Sequence, residues 1–431
     1  MRVSRPWYVA ACAVLLPATP ASAHVTFATA QSFPVGDGSQ TLETSAIAVG
    51  DFDRDGDADL VVAHANLALT QATVSILEND GAGNFTVAGS LDLLARPISI
   101  AAADLDGDDQ RDLAVALLGS DEVAVLLGNG DGTFGAATRY AVGDTPRQVR
   151  AADLDGKNGP DLLTANESDD TVSVLLNNGD GTFADASSIN VQAATGLSRS
   201  EPNAVAAGDV NGDGRTDLVV ALAARDQLGV LPGNGGGTFG DMALFTVGRD
   251  PVDVEAGDLD GDGDLDLVSA NSTAATVSVL RNDGSGGFIM VQTLAVGNGP
   301  VDVVLVDLDG EGQLDLLCAN SESDEVSFRN GTAAGIFEVL ASDFGVGGAP
   351  VGLAVADFND DGMLDIASAN REASLSDRDD VSLLTATAGV EMPAVPECGN
   401  GCGPMGAVPA VFTLVGIGGM KRRGRRCQRD A

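Results

Sequence analysis

One acidic cluster recurs seven times along this chain, beginning at Asp51, Asp104, Asp153, Asp209, Asp258, Asp307 and Asp357. The copies lie about fifty residues apart, a period that marks an array of one small unit. Each unit alone would expose an apolar face that only a neighbour can cover. The repeat therefore overrides the two or three domains that 431 residues would otherwise suggest. The fifth copy shows the unit best. Val252 to Ala256 alternates like a strand, the acidic loop follows, and Leu267-Val268-Ser269-Ala270-Asn271 is a second strand. Thr276 to Leu280 is a third, the glycine-rich stretch from Asn282 to Gly287 is a turn, and Phe288 begins a fourth. Four short antiparallel strands describe a propeller blade. The last copy stops after Asp380-Val381-Ser382-Leu383-Leu384, whereas Thr26-Phe27 and Phe33-Pro34-Val35-Gly36 precede the first. The expected fold is all-β: a seven-bladed β-propeller of four-stranded antiparallel blades over residues 24–390. Its ring is closed by the N-terminal strand completing the last blade, which hides open strand edges.

The loops read D-x-D/N-x-D-G-x-x-D. Side chains at positions 1, 3, 5 and 9 can converge on one cation, with a carbonyl from position 7. The candidate ligands are Asp51, Asp53, Asp55 and Asp59; Asp104, Asp106, Asp108 and Asp112; Asp153, Asp155 and Asp161; Asp209, Asn211, Asp213 and Asp217. They continue with Asp258, Asp260, Asp262 and Asp266; Asp307, Asp309, Glu311 and Asp315; Asp357, Asn359, Asp361 and Asp365. Hard oxygen ligands in a flexible loop suit calcium better than magnesium. Glycine at position 6 permits the sharp turn. An EF-hand would need glutamate at position 12, where the first loop has Val62 within a strand. The alternative, seven solvated acidic hairpins, leaves like charges close together without a counter-ion. Up to seven calcium ions are expected, at unequal sites. Asp109 stands where glycine is expected, Glu311 is longer than aspartate, and Lys157 occupies position 5 of the third loop. That third site is expected to be weak or empty.

The formal net charge of −40 repels nucleic acid and anionic membrane. Histidine, the commonest general base, occurs only at His24 and His64. The one tryptophan, Trp7, precedes the repeats, and Tyr140 is the one tyrosine within them. No catalytic constellation is visible, and His64 is the one candidate base. Residues 1–23 read as a secretory signal, with Arg2 and Arg5, an apolar stretch from Val9 to Leu16, and Ala21-Ser22-Ala23 before the cut. Residues 391–403 form a linker with Pro396-Glu397-Cys398-Gly399-Asn400-Gly401-Cys402-Gly403. Residues 404–431 hold an apolar run and a basic end of Lys421, Arg422, Arg423, Arg425 and Arg426. This tail resembles bacterial C-terminal sorting tags, particularly the myxosortase type, which implies processing near Cys398 or Cys402. A plain single-helix anchor is the other reading of it. Cys318 reads as a small buried strand residue.

The repeats resemble the FG-GAP family, also called VCBS-type repeats and known from integrin α subunits. Phe134-Gly135, Phe239-Gly240 and Gly348-Ala349-Pro350 carry the resemblance, with looser copies at Gly143-Asp144-Thr145-Pro146 and Gly248-Arg249-Asp250-Pro251. Phe85-Thr86, Phe183-Ala184 and Phe288-Ile289 depart from it. The resemblance implies seven blades with calcium in the loops between first and second strands. The functional expectation is a secreted, surface-attached binding or adhesion module, monomeric in its propeller, with an extracellular protein or glycan as partner. Its place is the bacterial cell surface or outer membrane, with membrane contact only through the C-terminal segment. The alternatives are a polysaccharide-active enzyme and a passive coat protein. Long loops place the expected ligand site on the face opposite the cations, near Arg371, Arg378 and His64.

Overall fold

The computed structural model describes residues 25–35, 42–66, 72–192, 199–339, 342–371 and 380–387. Residues 1–24, residues 388–431 and the loop residues 372–379 lie outside the described residues. Strands fill seven four-stranded antiparallel sheets, and the only helical turn among the described residues is Ala223–Arg225. Blade I runs through Leu42–Gly50, Asp59–Asn66, Ala72–Asn79 and Phe85–Asp92. Blades II to VI follow within 96–141, 146–190, 202–246, 251–295 and 300–345. Blade VII takes Pro350–Ala356, Asp365–Asn370 and Asp380–Leu384 from the C-terminal end, and Gln31–Pro34 as its outer strand. Phe33 lies opposite Val381, so the N-terminus closes the ring as the sequence predicts. A second pairing, Thr26–Phe27 with Ala386–Thr387, reinforces the closure.

Second strands are buried along their whole length, as in Asp266–Asn271, because each sheet is covered on both faces by neighbouring blades. The core is accordingly divided. Seven apolar clusters fill the seven gaps between successive blades. The phenylalanine that opens each fourth-strand element is a wedge in one of these gaps. Phe85 packs edge-on against Phe33 and Phe358 at 5.3 and 5.4 Å, and Phe134 lies 5.7 Å from Phe52 of blade I. First strands line the axis, and all seven carry a register shift near their start.

Candidate metal centres and the central channel

Each acidic loop joins the first strand of a blade to its second. Positions 4 and 6 adopt left-handed backbone, at Gly261 (φ 76°) and Gly263 (φ 94°) in blade V. The sequence pattern pointed to position 6 only. Position 4 is filled by Arg54 (φ 65°) and Asp360 (φ 59°) in two loops, which hid its requirement. The turn so formed folds the aspartates inward. In five loops three carboxylates place one oxygen each within 4.8 Å of the others: Asp51, Asp53 and Asp59; Asp104, Asp106 and Asp108; Asp153, Asp155 and Asp161; Asp258, Asp260 and Asp262; Asp307, Asp309 and Asp315. Asp55, Asp112, Asp266 and Glu311 stand outside these triplets. At position 3, Asn211 and Asn359 accept the N–H groups of Asp213 and Asp361 at 3.0 Å, as Asp53 accepts that of Asp55.

Position 9 has a second task that its place in the motif does not reveal. It opens the second strand, and one of its oxygens accepts the N–H of loop position 2, from Phe52 to Phe358, at 2.7 to 3.2 Å. The other accepts an N–H at or just past the end of the third strand of the same blade, from Asn79 to Ala386, at 2.6 to 2.9 Å. Burial nevertheless pushes Asp59 and Asp315 up to about 7, and Asp112, Asp161, Asp266 and Asp365 up to about 6. The two N–H bonds oppose this rise, and the other loop carboxylates add to it. Such a group asks for a counter-ion, and a bound cation would reverse the shift. Three further oxygens, Asp51 Oδ1, Asp260 Oδ1 and Asp307 Oδ1, are buried without a hydrogen-bond partner. These oxygens fit a hard cation.

Three loops carry their own cation. Lys157 Nζ lies 3.0 Å from Asp155. Arg215 lies 2.8 Å from Asp213, and Arg281, at the end of the third strand of blade V, lies 3.2 Å from Asp260. Loop V, complete by its sequence, is thus partly neutralised by a residue distant from the motif.

The axis holds a cavity of ≈ 210 Å³ lined by first-strand residues. Register shifts at Pro251/Asp253 and Pro300/Asp302 turn Asp253 and Asp302 toward it. Arg150 crosses to Glu255 and lies 3.7 Å from Asp253. Sequence reasoning missed this cluster, because each member sits in a different repeat. It also missed Asp121, Asp170, Asp226 and Asp324, whose side chains accept N–H groups of the connection to the next blade, as from Thr145 at 2.9 Å.

His64 needs correction as a candidate base or surface ligand residue. It is 2 % exposed, its Nε2 lies 2.7 Å from Ser75 Oγ, and its Nδ1 lies 3.0 Å from Thr73 Oγ1. Burial holds it down at about 4. The slot is one that asparagine fills in other blades: Asn271 donates to Ser278 and Thr276 at 3.0 and 3.2 Å. Arg371 is exposed, and Arg378 lies outside the described residues. Cys318 is fully buried, as expected.

Comparison with known families agrees with this geometry. The model of the FG-GAP-like repeat matches six times, over residues 51–115, 104–164, 153–220, 209–269, 258–318 and 307–368. The chain belongs to the FG-GAP-like repeat family. Each match spans two successive acidic loops, so all seven loops fall within the FG-GAP region. A search of curated proteins found no match. Among solved structures, BBS1N, crystallised in complex with ARL6DN and soaked with lead, is 14 % identical, with a TM-score of 0.58 over 85 % of this chain and 99 % of its own. A putative 6-phosphogluconolactonase from Bacteroides uniformis is 15 % identical, with a TM-score of 0.55 over 71 % of this chain and 86 % of its own. A protein from Lactobacillus plantarum is 15 % identical, with a TM-score of 0.54 over 77 % and 90 %. At these identities the likeness is one of fold. It joins a protein named for a complex with one named for an enzyme.

Proposed function

We propose that this FG-GAP propeller is an exported, calcium-stabilised binding module that presents a rigid ring to an extracellular protein or glycan. The observation that carries the calcium reading is the convergence of loop carboxylates around buried, unpartnered oxygens such as Asp51 Oδ1 and Asp307 Oδ1. Asp51, Asp53 and Asp59 would hold the ion in the first loop, and the equivalent residues would do so elsewhere. Bound calcium supplies the positive charge that the packed carboxylates lack, and calcium sites of extracellular modules commonly work at high micromolar to millimolar levels. The leader sequence supports export, and the C-terminal tag supports attachment at the cell surface. The sequence pattern of repeated loops on one scaffold, rather than a nucleophile beside an accessible base, supports binding over catalysis.

Calcium should raise the melting temperature of the chain by many degrees over its value in chelator, because it binds only the folded state. An unchanged melting temperature would remove the calcium reading. Asp53→Ala, in a loop without an internal ion pair among the described residues, should lower the bound calcium by one ion per chain. Asp155→Ala should change it little, since Lys157 already occupies that cluster. Retention of the purified chain on a panel of extracellular polysaccharides and surface proteins tests the binding role. Turnover of any panel sugar or sugar lactone would replace it with an enzymatic one.

A further inference from the structure

The charged cluster on the axis plays no part in the calcium reading. Arg150, on the first strand of blade III, reaches past blade IV to Glu255 and Asp253 of blade V. Asp302 of blade VI faces Asp253. Asp253 and Glu255 are 2 % and 4 % exposed and Asp302 is half-buried at the wall of the axial cavity, so water only partly separates these charges. Their hydrogen bonds are fixed by the ring. Asp253 accepts from Gln148 Nε2 at 2.9 Å and from the Val303 N–H at 3.0 Å, and Asp302 accepts the Leu353 N–H at 2.7 Å. One guanidinium cannot balance three carboxylates in such a space, and a proton is the simplest remaining counter-ion. We propose that Asp302 keeps its proton at neutral pH and directs it toward the carboxylate of Asp253, which makes the axial cluster a pH-sensitive clamp joining blades III, V and VI.

Among the described residues, the cations around the cluster are already paired: Arg329 of blade VI, which acts on Cys318, lies 2.8 Å from Asp343. Arg147, on the strand that carries Arg150, is paired with Glu167. Arg96 of blade II is paired with Glu43 of blade I at 2.8 Å. The first strand of blade VII, Pro350–Ala356, has no titratable side chain. On the second strand of blade VI, Cys318 faces the two aspartates, and its thiol is held well above the usual range by burial first and then by their charge. Burial raises Asp302 well above the usual carboxylate range, repulsion from Asp253 adds to the rise, and Arg150 opposes it. Burial likewise raises Glu255 to about 7. A carboxyl whose folded pKa is raised stabilises the fold most below its unfolded pKa, and loses that contribution as pH climbs through the folded value. The clamp therefore weakens from mildly acidic pH toward and beyond neutrality.

Asp302→Asn tests this, because the amide keeps the shape and places an N–H where that proton would lie. Melting temperatures of the full chain and the variant, both in chelator, are compared at about pH 5 and about pH 8. The position-9 aspartates titrate alike in both proteins, so the difference reports the axis alone, whether or not calcium binds. The two should melt together at the acidic pH, and the variant several degrees higher at the alkaline one. Parallel curves, or a variant that melts lower at both, would overturn the proposal. Infrared absorption adds a second check: at neutral pH with calcium present, the unsubstituted chain should show a neutral carboxylic acid band that Asp302→Asn lacks. The same spectrum from both would overturn the retained proton as well.

Discussion

At the scale of single residues, the same slot can be filled by different chemistry without a change of task. His64 and Asn271 both end a buried second-strand network by bonding hydroxyls of the third strand. The histidine brings a cost that asparagine does not, since it must stay neutral. Its pKa in the fold is about 4, below the roughly 6.5 of an unfolded histidine. Between those values the unfolded chain binds a proton that the folded chain refuses, so stability falls as pH drops. The unsubstituted chain should lose about 2 kcal/mol more than His64→Asn between about pH 7 and about pH 4, read by denaturant titration. Equal losses would mean that His64 accepts a proton inside blade I. The histidine was visible in the sequence as a rare residue, but rarity suggested function. Only its depth and its partners show a structural role.

At the scale of elements, the acidic loops are parts of the seams between blades. The glycine turn of one blade lies against position 3 of the preceding loop, as Gly335 does against Asp260 and Gly181 against Asp106. A side chain at Gly335, already at φ 66°, would come within 2.8 Å of the Asp260 Cβ. Asparagine at the end of the third strand ties the seam. Asn282 donates to the Val210 carbonyl of blade IV at 2.7 Å and to the Leu265 carbonyl of its own blade at 2.9 Å, and Asn79 and Asn177 repeat the pattern. Asn282→Ala leaves both carbonyls buried without that donor and should cost about 2 kcal/mol in chemical denaturation. A loss no larger than that of an exposed substitution would show that the seam relaxes around it. The loops were legible because their ligands are close in sequence, and the seams were not because they join residues about seventy positions apart.

At the scale of the molecule, stability depends on closing the ring. Without residues 25–35, blade VII would lose its outer strand, and Asp380–Leu384 would become an open edge. Phe33 would also leave its place between Phe85 and the cluster of blades VII and I. A chain lacking that segment should melt well below the intact one and should form oligomers on size-exclusion chromatography, because open edges pair with other chains. A monomer of unchanged stability would show that the strand is dispensable.

The sequence by itself determined the blade count, the strand order, the closing strand and the positions of the acidic loops. All of these are periodic or local, and a repeated unit announces itself in every copy. It did not reveal that Arg281 reaches loop V from the end of another strand, and it missed the second role of position 9. The axial cluster of Arg150, Asp253, Glu255 and Asp302 was decided by tertiary structure alone. Its members are isolated charges in different strands, and only the curvature of the ring and the register shifts of its inner strands bring them together.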